Sequence, residues 1–319
     1  MTNWRQRERN NRRVWPYILC WTMLTCAPLY GHSETASSAT KPIIKVGLLH
    51  GDPEPFSLPI AVLRQAFAHM QPPREMELVD ISHMNQHRAL TAMSRRQVPF
   101  DIFFSGFSKA REEQLLQIDV PLTQGLLGAR VLVINNNRQD ALLQQLKSAT
   151  DVRNLAIGSG IQWPDTEILQ QNGFQIVEGK YQNLWKMLQN QRIDAFARGI
   201  EEAFTEIEQR KANRPQPDIL QGWLLVYPLD YFVYLPQSRL ELYTQLNQAL
   251  LKALNSGDIR RTIEQHPSAQ QALQWLRSQQ YQTLYLHNPL LSERLKTLPA
   301  EYWLPEVRKA TSQMAKDDL

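Results

Sequence analysis

Leu224-Leu-Val-Tyr-Pro-Leu-Asp-Tyr-Phe-Val-Tyr-Leu235 is a long apolar run with Pro228 in its middle. Proline has no amide proton to give a strand ladder, so the run reads as a strand interrupted at that point. Upstream, Gly125-Leu-Leu-Gly128 leads into a second apolar strand, Arg130-Val-Leu-Val-Ile134. The two segments join two sets of alternating strand and helix signals. Together they predict two α/β lobes joined by two crossings, which can act as a hinge with a small-molecule cleft between the lobes.

The alternation is explicit on both sides. Ile43 to Leu49 reads as a buried strand and runs into the loop His50-Gly-Asp-Pro-Glu-Pro55. Ile60, Val62, Leu63, Ala66 and Phe67 then recur at helical spacing. A strand over 76–81, a helix over 85–97 and a strand over 100–104, ending at Ser105-Gly106, complete the first set. The second set reads as helices 139–148, 164–172, 181–190 and 200–211 with strands 154–157, 174–177 and 193–197. Such alternation predicts mostly parallel sheets. The expected division is lobe 1 over 42–126 and 228–267, lobe 2 over 127–227, and a helical C-terminal extension over 268–319 that carries Trp275, Leu276 and Trp303.

The first residues carry an address. Arg5, Arg7, Arg9, Arg12 and Arg13 precede the apolar run Val14 to Tyr30 and then Gly31-His-Ser33, the order of a secretory signal peptide. The run is short against the ~20 apolar residues of a membrane span, although a retained N-terminal anchor stays open. Met23-Leu-Thr-Cys26 is a poor lipoprotein signal, and Trp15-Pro16 follows Arg12-Arg13 badly for twin-arginine export. A cleaved leader over 1–31 and a polar linker over 32–41 are therefore expected, with the mature chain in the periplasm.

Residues 1–31 hold five Arg and one Glu, a charge of +4, and the whole chain carries a formal +4. The rest is close to neutral, which gives no basis for a nucleic-acid patch. Cys20 and Cys26 also fall in the leader, so the mature chain has neither disulfide nor thiol chemistry and rests on its core. About 285 residues are enough to bury one.

Several motifs, in order, carry a family resemblance: Ser105-Gly-Phe-Ser-Lys-Ala-Arg111, Leu127-Gly-Ala-Arg-Val-Leu-Val133, Gly158-Ser-Gly-Ile-Gln-Trp-Pro-Asp-Thr166, Asn190-Gln-Arg-Ile-Asp-Ala-Phe196, and the helix before Asp258-Ile259. Over Ile43 to His266 the chain resembles the type II periplasmic solute-binding proteins, in particular the extracellular family-3 group of polar amino-acid binders. The resemblance implies a two-lobed fold without catalytic machinery. It also implies that Arg111 grips a ligand carboxylate, for which a guanidinium fork is well shaped; a surface pair with Glu112 or Glu113 is the alternative. The group's usual aspartate for an α-ammonium falls at Gly199, beside Arg198. A cleft with Arg111 and Arg198 would prefer an acid, unless Arg198 is a surface cation that pairs with Glu201 or Glu202.

Trp163-Pro-Asp-Thr166 reads as a helix start, with Pro164 at the first position. Trp163 is placed to stack on a ligand or to pack in the core, and Thr166 joins the candidate site from the same turn. Ser105 and Gly106 end a strand where a ligand is met in α/β sheets, or simply form a turn. His83 and His87 share a helix face but have no third ligand nearby, so no metal or cofactor is expected. Gly158-Ser-Gly160 lacks the spacing of a nucleophile elbow. The reading is a monomeric, exported solute-binding protein, not an enzyme, that closes on a small polar or acidic solute and serves a membrane permease or a sensor receptor. The alternative is a ligand-free scaffold that binds a membrane receptor.

Overall fold

The computed structural model describes residues 41–49, 51–278 and 280–308. The expected leader, with Cys20 and Cys26, and most of the linker lie outside the described residues. From Lys41 the chain forms a single compact unit.

The first lobe takes β1 (Ile43–Leu48), α1 (Ser57–Ala68), β2 (Glu75–Asp80), α2 (Gln86–Ser94), β3 (Phe103–Ser105), α3 (Lys109–Gln114) and β4 (Leu116–Ile118). The second takes β5 (Ala129–Asn135), α4 (Gln139–Gln145), α5 (Ala149–Arg153), β6 (Ala156–Gly160), α6 (Pro164–Gln171), β7 (Gln175–Gly179), α7 (Tyr181–Gln189), β8 (Ala195–Gly199), α8 (Ile200–Glu208), β9 (Pro217–Ile219) and β10 (Gly222–Val226). The chain then returns through β11 (Phe232–Leu235), α9 (Leu240–Asn255) and α10 (Asp258–Gln265), and ends in α11 (Pro267–Ser278), β12 (Tyr281–Tyr285) and α12 (Glu293–Lys296).

β1 pairs parallel with β2, Ile102 bridges Val46 just before β3, and β11 lies antiparallel between β3 and β4. The second sheet runs β12-β10-β5-β8-β6-β7, with β9 on β5. The apolar run that begins at Leu224 divides as its proline requires: β10 stops at Val226, β11 starts at Phe232, and the two belong to different sheets. The fold is α/β with two lobes, and the crossings lie side by side. Tyr227 donates to the Gly128 carbonyl at 3.1 Å and Leu122 to that of Tyr231 at 3.1 Å. A Cβ on Gly128 would stand 2.1 Å from the Tyr227 oxygen, so only glycine allows this approach.

Buried Asp230, on the return crossing, accepts from the Thr123 amide, the Thr123 hydroxyl and the Gly125 amide of the outgoing one. It ties the two together.

The tail corrects an expectation. It is not wholly helical, because Tyr281-Gln-Thr-Leu-Tyr285 adds a parallel strand to β10. Tyr and Thr favour a pleated, half-buried edge, and β10 offered an open one. Beyond it, Arg294 reaches lobe 1 and pairs with Glu112 at 2.7 Å and Asp119 at 2.9 Å.

Candidate functional site

The lobes meet at the carboxyl ends of β3 and β6. Gly106, just past β3, lies against Pro164 at the start of α6: a Cβ there would come within 3.3 Å of the proline ring. Between them remains a cavity of about 50 Å³, lined by Phe56, Phe103, Phe104 and Tyr231 on one side and by Arg130, Asp165, Arg198 and Glu202 on the other. That space has room for no more than a few waters.

Lobe 2 fills its side with an ion network. Arg198, at the end of β8, donates twice to Glu206 at 2.7 Å and meets Glu202 at 3.0 Å. Its guanidinium also lies 5.2 Å from the Trp163 ring centre and 5.1 Å from that of Phe196. Arg130, on β5, binds Asp165, Glu202 and the Tyr227 hydroxyl. Burial works against both cations, but the carboxylates outweigh it and both are held above the ordinary arginine range. The surface reading of Arg198 is thereby corrected: it is buried, and its partners are Glu202 and Glu206. Gly199 fits this network too. A Cβ there would sit 2.9 Å from a Glu201 oxygen and 3.0 Å from a Glu202 oxygen, so an aspartate would meet like charge.

Lobe 1 presents a different arginine. Arg111, on α3, donates to the Ser105 hydroxyl at 3.0 Å, to the Gly106 carbonyl, and to the Gln86 side-chain oxygen at 2.6 Å. All three acceptors are neutral, and Arg111 makes no ion pair among the described residues. The expected alternative pair with Glu112 is not made, because Arg294 holds that carboxylate. Burial pushes the Arg111 guanidinium below its ordinary range, although Tyr234 and Asp165 partly oppose the shift.

Two grooves flank the filled centre. One, of about 550 Å³, brings together Arg111, Ser108, Trp163 and Thr166, with Glu167 and Glu178 also on its lining. The other, of about 330 Å³, is lined by Trp163, Gln86 and residues from both lobes. Trp163 borders both grooves and the central cavity. Its place is fixed by Gly160, where a Cβ would stand 2.1 Å from the indole.

Of the residues singled out in the sequence, Arg111, Trp163 and Thr166 therefore share a groove. Thr166 bonds to Ser159 at 2.7 Å and to the Gly160 carbonyl at 2.8 Å, which holds the first turn of α6 to β6. Ser105 is fully buried and reaches the groove only through Arg111, while Gly106 and Arg198 line the central cavity. Sequence reasoning missed Arg130, Glu206 and Gln86, while Glu202 was expected only as a partner of Arg198, which it is. The double acid after Arg198 was the one available signal for the network.

No protein-family model and no curated protein matches the sequence. Solved structures do. An ancestral arginine-binding protein bound to glutamine superposes with a TM-score of 0.55 at 14% identity, over 72% of this chain and 99% of its own. The Salmonella typhimurium periplasmic binding protein described for its arginine specificity gives 0.52 at 17%, over 70% and 98%. A histidine kinase sensor domain with similarity to periplasmic binding proteins gives 0.51 at 14%, over 70% and 95%. The chain has the two-lobed fold of the type II periplasmic solute-binding proteins.

Proposed function

We propose that this protein is an exported, monomeric solute-binding protein that holds a small polar or acidic solute in the cleft between its lobes. Lobe 1 (42–126 and 228–267) and lobe 2 (127–227) close on the solute about the crossings tied by Asp230, and a membrane permease or sensor receptor reads the closed form. The observation that carries this reading is Arg111. A half-buried guanidinium with only neutral partners keeps an unmet demand for negative charge, and a solute carboxylate meets it with charge-assisted hydrogen bonds. Trp163 and Thr166 face the same groove from lobe 2, so a solute there touches both lobes, and Ser105 and Gly106 hold the fork in place. Arg198 acts from behind, as a buried support for Trp163.

A thermal-shift titration of the wild-type protein with amino acids, dicarboxylates and sugar acids tests this, since a solute that binds only the folded state raises Tm by mass action. The expected result is a rise with at least one acid that is lost in Arg111→Met. No rise with any member contradicts the reading. The filled centre, with its cavity of about 50 Å³, favours a second reading in that event: a ligand-free scaffold that docks on a membrane receptor, detected by cross-linking in the periplasm.

A further inference from the structure

The 330 Å³ groove differs from its neighbour in charge. Arg88 on α2 enters its lining from lobe 1, Lys180 at the start of α7 enters from lobe 2, and His83 stands on the lobe-1 rim. No Asp or Glu lines it. Neither the Arg88 guanidinium nor the Lys180 ammonium has an ion pair or hydrogen bond among the described residues. Asp80, the acid nearest in sequence on the lobe-1 side, accepts from the Ser82 amide at 2.8 Å and does not line the groove. The larger groove, by contrast, sets Glu167 and Glu178 beside Arg111.

Two like charges on opposite lobes repel as the cleft closes, and an anion placed between them turns that repulsion into attraction for both. An anion that meets both cations only when the lobes are together shifts the population toward closure by its differential affinity. Gln86 connects the two sides, since it lines this groove and accepts from Arg111 at 2.6 Å. We infer that the solute is a dianion: one acid group is bound at Arg111 and a second, at the other end, is bound between Arg88 and Lys180 so that it bridges the lobes. An elongated dicarboxylate passing Trp163 fits this chemistry, whereas a solute ending in a cation does not.

The inference rests on the solute-binding reading above, and the test separates the two. Affinities of the full chain for dicarboxylates from succinate to suberate, each matched with the monocarboxylate of equal length, are measured at constant ionic strength. The expected result is that one dicarboxylate binds at least about tenfold more tightly than its monocarboxylate, and that this advantage disappears in the Arg88→Ala/Lys180→Ala double variant. Equal affinities within every pair, or an advantage that survives in the double variant, overturn the inference and leave the solute-binding reading intact. No binding by any of these acids removes the dianion reading, and a response to other solutes in the wider panel decides whether the solute-binding reading falls with it.

Discussion

Arg198 and Arg111 face the same cleft from opposite lobes and have opposite electrostatic fates. Arg198 is wrapped by Glu202, Glu206 and three aromatic rings, and its charge is held by those carboxylates despite full burial. Arg111 has a hydroxyl, a carbonyl and an amide, and burial works against its charge without a carboxylate in contact to offset it. One arginine is structure; the other is an unmet demand. The difference teaches that arginine in a binding cleft is informative only after its acids have been counted.

Breaking the paired side should cost most. Glu206→Ala removes the bidentate partner of Arg198 and leaves a buried cation undersupplied, so unfolding free energy should fall by about 3–5 kcal/mol in denaturant titrations. A loss under about 1 kcal/mol would mean that Arg198 is not held as described.

Lobe 2 and the crossing also contain the mirror image of Arg111. Glu201 is buried, and neither of its carboxylate oxygens accepts from another residue among the described residues; burial and the nearby Glu202 push its acid well above the usual range. Asp230 is pushed up to about 7 by burial, which outweighs the amide and hydroxyl donors that favour its charge. Both folded-state values lie above those of the unfolded chain. The folded protein therefore keeps protons that the unfolded chain releases; the stabilising contribution of Asp230 is full below about pH 4 and is lost as pH rises through about 7, and Glu201 contributes with the same sign. Stability should drop by a few kcal/mol across that window. Asp230→Asn should flatten the slope, and Glu201→Gln should raise Tm at pH 8. A wild-type Tm that climbs from pH 4 to 7 would contradict the assignment.

Arg111→Met keeps length while deleting a charge with no anionic partner. Stability of the solute-free protein should change by less than about 1 kcal/mol, in contrast to Glu206→Ala, while the solute-induced rise in Tm vanishes. The smallest effect belongs to Arg294→Ala. It frees Glu112 to compete for Arg111 and should weaken acid binding by about threefold, an exposed-pair effect that shrinks in high salt.

The lobes and their crossings were legible because Pro228 breaks an apolar run that would otherwise be one strand, and because the helices and strands around it alternate cleanly. Short elements were not. β4, β9 and β12 have three to five residues each and draw their stability from neighbours far away in sequence, so their own periodicity is too brief to read. Arg111 was visible through its place after Ser105-Gly106, but its lack of an acid was not, since Arg294 removes Glu112 from a distance of 182 positions. The pairing of Arg198 four residues before Glu202 was local and was within reach. Arg130 with Asp165, 35 residues apart, depended on two strands and a helix start coming together.

Native mass spectrometry of the wild-type protein and of Arg111→Met, each purified without unfolding from the cells that export them, tests the central claim most directly. The account predicts a small acidic solute co-purifying with the wild type and absent from Arg111→Met. Bare wild-type protein, or the same solute retained by the variant, would contradict it.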